Sequence, residues 1–253
     1  MLLNIDQGWL VQVCLASIRI GMLFILTPIF QNMRGVTTAR VLLVLALSVA
    51  LAANLAPAPR GLDLEYGPLL AAGAAEVVTG AVLSFGVFAA FSAFSVAGKI
   101  LDIQSGFSIG SVYDPVTGGG APVFATVLNL AAVAMFFALD GHHALVRGIA
   151  YSLRQVPPGT AMAAFDPDAV VRQFGVMFTL GVAMAGPVMF GLFLAEIALA
   201  VISRSLPQMN VFVVGVPVKI VIALALLALT GALLGPVMGK VYASVFLFWE
   251  RVL

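Results

Sequence analysis

Charge is scarce in this chain. Asp, Glu, Lys and Arg make up only 9% of 253 residues, and the two signs nearly cancel at a net charge of +1. That balance excludes a polybasic surface for nucleic acid or for anionic lipid. Cys14 is the one cysteine, so neither an intramolecular disulfide nor a thiolate metal cluster is open to the chain. There are two histidines, His142 and His143, side by side. Adjacent positions on a helix point in different directions, so the pair is not expected to share a metal. No H-E-x-x-H or comparable carboxylate spacing accompanies them, and neither a metal nor a cofactor is expected. The first residues, Met1 to Asp6, lack the basic start of a cleaved leader, so the first apolar run is expected to stay.

What the chain has instead is apolar length. Hydrophobic residues reach 62%, and the mean hydropathy is +1.14. Stretches 41–59, 77–98, 115–139, 173–195 and 220–239 carry no charge, and 8–30 is interrupted only by Arg19. Each is close to the ~20 residues that a helix needs to cross a bilayer core. The reading is an all-α integral membrane protein with one domain and about six long apolar helical segments, some broken into shorter pieces. Residues 67–98 would form a helix of about 48 Å, longer than the core is thick, which must tilt, break or extend beyond it. Gly73, Glu76, Gly80 and Ser84 share one face of that helix, suited to close contact. Phe85, Phe88, Phe91 and Phe94, at every third position, read as packing or lipid-facing surface.

Residues 122–139 form a helix whose continuation, 140–154, turns amphipathic and ends at Pro157, Pro158 and Gly159. Asp166, Pro167 and Asp168 start the next helix with acidic residues at its positive end. The last part reads as a helical hairpin, 173–203 and 211–236, with Gly231, Gly235 and Gly239 on a tight-packing face. Lys and Arg outside the apolar segments lean towards cytoplasmic termini, whereas Arg34 and Arg40 argue the reverse, so orientation stays open.

The most informative stretch is 106–122. It holds five glycines, two prolines and one charge, Asp114, between two apolar runs. Gly106, Gly110, Gly118, Gly119 and Gly120 free the backbone, and Pro115 and Pro122 remove donors, so no regular spanning helix can form there. Irregular backbone at membrane depth is tolerated only where protein buries it or where it lines a water-filled path. Two readings stand: an element in or over an opening, or an ordinary solvated connector.

Candidate chemistry is thin. Gly106, Ser108 and Gly110 match the G-x-S-x-G elbow, which His142, His143 and Asp140 could serve in an intramembrane serine protease, but no strand precedes the serine as that motif requires. Arg19, Glu76, Glu196 and Lys219 lie inside apolar segments, where facing lipid would cost several kcal/mol, so each faces protein or water. They could form an ion pathway through Glu76 and Glu196 in a stand-alone transporter or channel. With four isolated charges and no cluster, the preferred reading is salt bridges that hold subunits together. Lys99 and Asp102, three apart at a helix end, can pair on its surface, and with those four they count as buried or inter-subunit charges.

Taken in order, several segments resemble the FliR/SctT family of type III export gate proteins, over nearly the whole chain. The resemblance begins at Arg19, Ile20 and Gly21, at Thr27 to Phe30, and at Arg40. It is strongest from Gly98 through Lys99, Asp102, Gln104, Gly106 and Phe107, and in Asp114, Pro115, Thr117, Gly118 and Pro122. It continues through Leu139 to His142 and closes from Pro207 to Pro217. The Asp-Pro-x-Thr-Gly element looks more like the flagellar branch. Thr37 and Thr38 depart from the family, where a proline is expected before Arg40.

The resemblance implies a non-enzymatic subunit that builds a closed, helically arranged channel with FliP and FliQ. It also implies contact with FlhB and passage of unfolded flagellar proteins at the flagellar basal body of the bacterial inner membrane. In that family the loop matching 106–122 plugs the pore. Phe107, Ile109, Val112 and Tyr113 would then supply the seal, and the glycines the hinge. Residues 1–172 would be the FliP-like part and 173–253 the FliQ-like part. Many apolar faces would bury against partner subunits rather than lipid, and the intramembrane charges would lack partners within the chain.

Overall fold

The computed structural model describes residues 7–28, 37–55, 66–108, 122–160, 166–205 and 211–253. Among these residues the chain is helical and holds no strand. Seven helices follow in order: α1 (Gln7–Leu26), α2 (Thr37–Ala52), α3 (Tyr66–Ser105), α4 (Val123–Ala138), α5 (Gly141–Gln155), α6 (Pro167–Ser205) and α7 (Val211–Val252). α1, α3, α6 and the stretch Val213–Gly231 of α7 are long and apolar enough to cross a membrane, and α4 with α5 makes a fifth, broken candidate. This is an all-α membrane protein. α2, at 16 residues, is shorter than a full span.

α3 settles the question raised by its length: it neither breaks nor stops at Gly98. Its 40 residues run on to Ser105, about 60 Å at 1.5 Å per residue. α7 likewise passes through Pro217 and Pro236 where the sequence suggested an end near 236. Each proline removes one helical hydrogen bond. Beyond Pro236, however, Met238, Val241, Tyr242, Val245, Phe248 and Trp249 are all buried, and that packing outweighs the lost bond. The run after α4 does not continue it. Asp140 takes a left-handed conformation, φ 54° and ψ 28°, and α5 starts afresh.

The chain divides into two compact units, and α3, α6 and α7 contribute residues to both. The first comprises Met1–Ala89, Asp140–Gln173 and Ser244–Leu253. In it α1 packs against α2, and the small-residue face of α3 lies on α1. A Cβ on Gly80 would sit 3.0 Å from the Arg19 carbonyl oxygen and 2.8 Å from Met22 Cβ, so no larger residue fits between these backbones. Trp249 is buried and donates its indole N–H to the Leu83 carbonyl at 2.9 Å.

That close approach delivers the Arg19 guanidinium to Glu76. Nε and Nη2 donate to the two carboxylate oxygens at 2.6 and 2.8 Å, with both side chains fully buried. Nη1 donates to the Ser152 carbonyl of α5 at 2.9 Å. Glu76 Oε1 also accepts the Gly159 N–H at 2.9 Å, which ties in the turn after α5. The arrangement is bidentate and joins α1, α3, α5 and the Pro157–Thr160 turn through two side chains.

The second unit comprises Ala90–Leu139 and Phe174–Ala243. At its centre the rings of Phe91, Phe94, Phe136 and Tyr242 meet, with centroids 5.7 to 6.2 Å apart. The Tyr242 hydroxyl donates to the Ala132 carbonyl at 2.6 Å. Phe91 and Phe94 are therefore core, whereas Phe88 is 47% exposed.

We expect Glu76→Ala to leave the Arg19 charge buried and unpaired and to cost roughly 3–5 kcal/mol of stability. Replacing both residues by apolar ones of similar volume should recover most of that loss. Denaturant unfolding of the purified protein in detergent measures both, and a loss below about 1 kcal/mol for Glu76→Ala would count against the pair as a keystone.

Candidate functional site

The 106–122 stretch is entered and left through described residues, and both ends are fastened at one place. After Ser105, Gly106 adopts φ 91°, a left-handed conformation that glycine takes without strain, and the chain turns off the helix axis. The Gly106 N–H donates to the Ile103 carbonyl at 3.2 Å, and the Ser108 N–H to the Asp102 carbonyl at 3.2 Å. On the return, Pro122 is extended and starts α4 without supplying a cap from its side chain. Asp102 supplies it. Its Oδ1 accepts from the Phe124 N–H at 2.9 Å and its Oδ2 from the Ala125 N–H at 3.1 Å.

Asp102 thus holds the outgoing turn of the chain by its main chain and the incoming helix by its side chain. Its carboxylate is buried at the positive end of α4, where the first amides otherwise lack acceptors. Neighbouring contacts stiffen this base. A Cβ on Gly98 would lie 2.1 Å from Ala125 Cα, so the backbones of α3 and α4 touch there. The Phe107 and Phe124 rings meet edge to face at 5.5 Å. Asn129 Nδ2 donates to Ser95 Oγ at 3.0 Å, and Gln104 Nε2 donates to the Met189 carbonyl of α6 at 3.0 Å.

Of the loop residues expected to carry function, Gly106, Phe107 and Pro122 belong to this base. Ile109, Gly110, Val112, Tyr113, Asp114, Pro115, Gly118, Gly119 and Gly120 lie outside the described residues. Ser108 follows the end of a helix, not a strand.

Three expectations need correction. Lys99 is exposed, and no ion pair joins it to Asp102 among the described residues. The helix end of α4 outcompetes the lysine, because two oriented amides donate to both carboxylate oxygens away from water. The intramembrane charges do find partners within the chain. Arg19 pairs with Glu76, and Lys219 Nζ lies 3.4 Å from Glu196 Oε1, a looser pair in which Glu196 is 59% exposed.

The third concerns His142 and His143, whose rings converge, with centroids 4.1 Å apart. Both are in the first turn of α5, where side chains lean towards the N-terminus with no preceding turn in the way. Gly231, Gly235 and Gly239 keep an open face: among the described residues, apart from each glycine's own neighbours on the helix, nothing lies within 4 Å of a Cβ built at any of the three.

Gln104, Asn129, Ser152 and Gly159 were missed as contributors. Isolated amide side chains in apolar runs, such as Asn129, were a usable signal, since such groups need partners. For Ser152 and Gly159 the partner group is main chain, and sequence carries no mark of it.

Residues 10–245 match the family described as bacterial export proteins, family 1. The chain belongs to that family. Among similar members is the flagellar biosynthetic protein FliR of Bacillus subtilis (strain 168), 29% identical over 233 residues, which are 90% of this chain and 89% of that one. FliR of Aquifex aeolicus (strain VF5) is 26% identical over 248 residues, 97% of this chain and 95% of that one. The surface presentation of antigens protein SpaR of Shigella flexneri is 30% identical over 149 residues, 59% of this chain and 58% of that one. In this bacterial export protein, Gly98, Asp102 and Phe107 of the loop base all fall inside the matched region.

Asp102→Ala should remove the cap on α4 and cost about 1–2 kcal/mol, whereas Asp102→Asn, which can still accept, should cost less. Hydrogen exchange checks the local effect. The amides of 106–108 and 123–126 should exchange faster in Asp102→Ala, and unchanged protection would mean that another group holds the loop base.

Proposed function

We propose that this chain is a subunit of a type III protein export apparatus of the flagellar kind. In this reading it builds the wall of an export channel together with FliP-like and FliQ-like subunits, contacts an FlhB-like protein, and lies at the basal body in the bacterial inner membrane. Residues 106–122 close the passage and yield to unfolded export substrates. The family match over residues 10–245, with FliR-named relatives spanning most of the chain, carries this reading.

The loop base supports the closing role. A gate must be firm where it is attached and compliant between its attachments. Asp102 provides the firm part through three hydrogen bonds to the two ends. The glycines at 110 and 118–120 allow the compliant part.

Assembly is supported by surfaces that the chain leaves bare. Only 17% of the apolar window of α6 and 11% of that of α7 is buried. Phe174, Phe190, Phe193, Val201, Val221 and Leu229 stand exposed along them, and so does the open glycine face at 231–239. Small-residue faces let a second backbone come close. In this reading residues 1–172 correspond to the FliP-like part and 173–253 to the FliQ-like part.

Native mass spectrometry of the particle that co-purifies in mild detergent tests the assembly. With the partner genes co-expressed, one large complex holding two further small hydrophobic proteins is the expected result, and a monomer or homodimer would overturn the reading. Deleting Gly118 to Gly120 tests the loop separately. We expect the membrane to leak ions or export to fail, and unchanged permeability with unchanged export would sink the gating role.

A further inference from the structure

We propose that Asp140, His142 and His143 form a binding site for a divalent transition-metal cation of the zinc class. The two imidazoles and one carboxylate each place a ligand atom within 4.8 Å of the others. His143 Nδ1 and Asp140 Oδ1 are 3.4 Å apart. Tetrahedral zinc with bonds of ~2.0–2.1 Å needs its ligand atoms roughly 3.3 Å apart, so this pair already has the spacing of one tetrahedral edge. The His142 ring lies half-buried beside it, with its centroid 4.1 Å from that of His143.

The backbone explains why the Asp140 carboxylate is available. An aspartate at the start of a helix usually spends its carboxylate on the first amides. Asp140 makes no such side-chain cap, because its left-handed conformation turns the side chain away. Its main-chain carbonyl takes the His143 and Ala144 amides instead. The carboxylate is left 76% exposed against the His143 ring, which is 66% exposed. An ion can therefore reach the site and keep one or more water ligands.

The donor set decides the class. Two imidazoles and a carboxylate suit zinc, cobalt, nickel or copper, whereas magnesium and calcium require more oxygen ligands than Asp140 can offer. The positive end of α5 opposes a cation, and the Asp140 charge offsets that opposition. An ion bound here would clip the turn before α5 to its first helical turn. The inference is independent of the export reading and stands or falls without it.

The chain has two histidines and both are in the site, so any histidine signal reports on it alone. Full-length protein carrying no polyhistidine tag would be titrated with Co²⁺ at neutral pH in detergent. We expect one equivalent to produce visible absorption bands, Zn²⁺ to displace them, and both His143→Gln and Asp140→Asn to lose them. Asparagine tolerates the left-handed conformation, so the second variant keeps the turn. In the unmodified sequence, Zn²⁺ should also protect His142 and His143 from acylation by diethyl pyrocarbonate, read by mass spectrometry, a measurement that needs no variant to fold. Absent bands, bands that persist in His143→Gln, or equal acylation with and without Zn²⁺ would each overturn the site.

Discussion

Polar groups in so apolar a chain cannot rely on water, and the fold is organised around the few places where they are satisfied internally. In one unit the Arg19–Glu76 pair gathers three helices and a turn. In the other the Asp102 carboxylate closes the start of α4. Both are complete in the sense that matters energetically, since each buried oxygen or N–H donor described has a partner. A half-satisfied version of either would be worse than a purely apolar contact. This is why a guanidinium and two carboxylates can sit at zero to 3% exposure within segments that otherwise hold almost no charge.

The two arrangements differ in what they leave beside them. Around Arg19 and Glu76 the chain is closed, with both carboxylate oxygens engaged and the backbones of α1 and α3 in contact. That geometry suits a rigid joint. At Asp102 the fastening sits where a glycine-rich stretch of sequence is entered and left. Firm attachment of both ends of such a stretch is the physical content of the proposed gate.

The bare surfaces of α6 and α7 have the opposite character. They are apolar, long and scarcely covered, and among the described residues no other helix comes within 4 Å of a Cβ built at Gly231, Gly235 or Gly239. A solitary chain would present these faces to lipid, which is chemically acceptable. The open small-residue face instead suits a neighbouring helix, because close backbone approach gains contact only when something approaches.

Much of this was legible in the residues alone. Uncharged runs near 20 residues marked the helices, and the density of glycine and proline at 106–122 marked the break between them. Asp166 and Pro167 marked the start of α6, whose Asp168 N–H indeed donates to Asp166 Oδ1 at 3.0 Å. Those features are local, set by backbone freedom and by the period of the apolar pattern. Partner choice was not local. Asp102 could meet Lys99 three residues away or two amides more than 20 away, and only the packing of α3 on α4 through Gly98 brought the amides within reach. Arg19 and Glu76 stand 57 positions apart, and the histidine rings converge because a left-handed Asp140 opens the helix there. The elements follow from short-range chemistry; which polar group meets which follows from how closely the backbones come together.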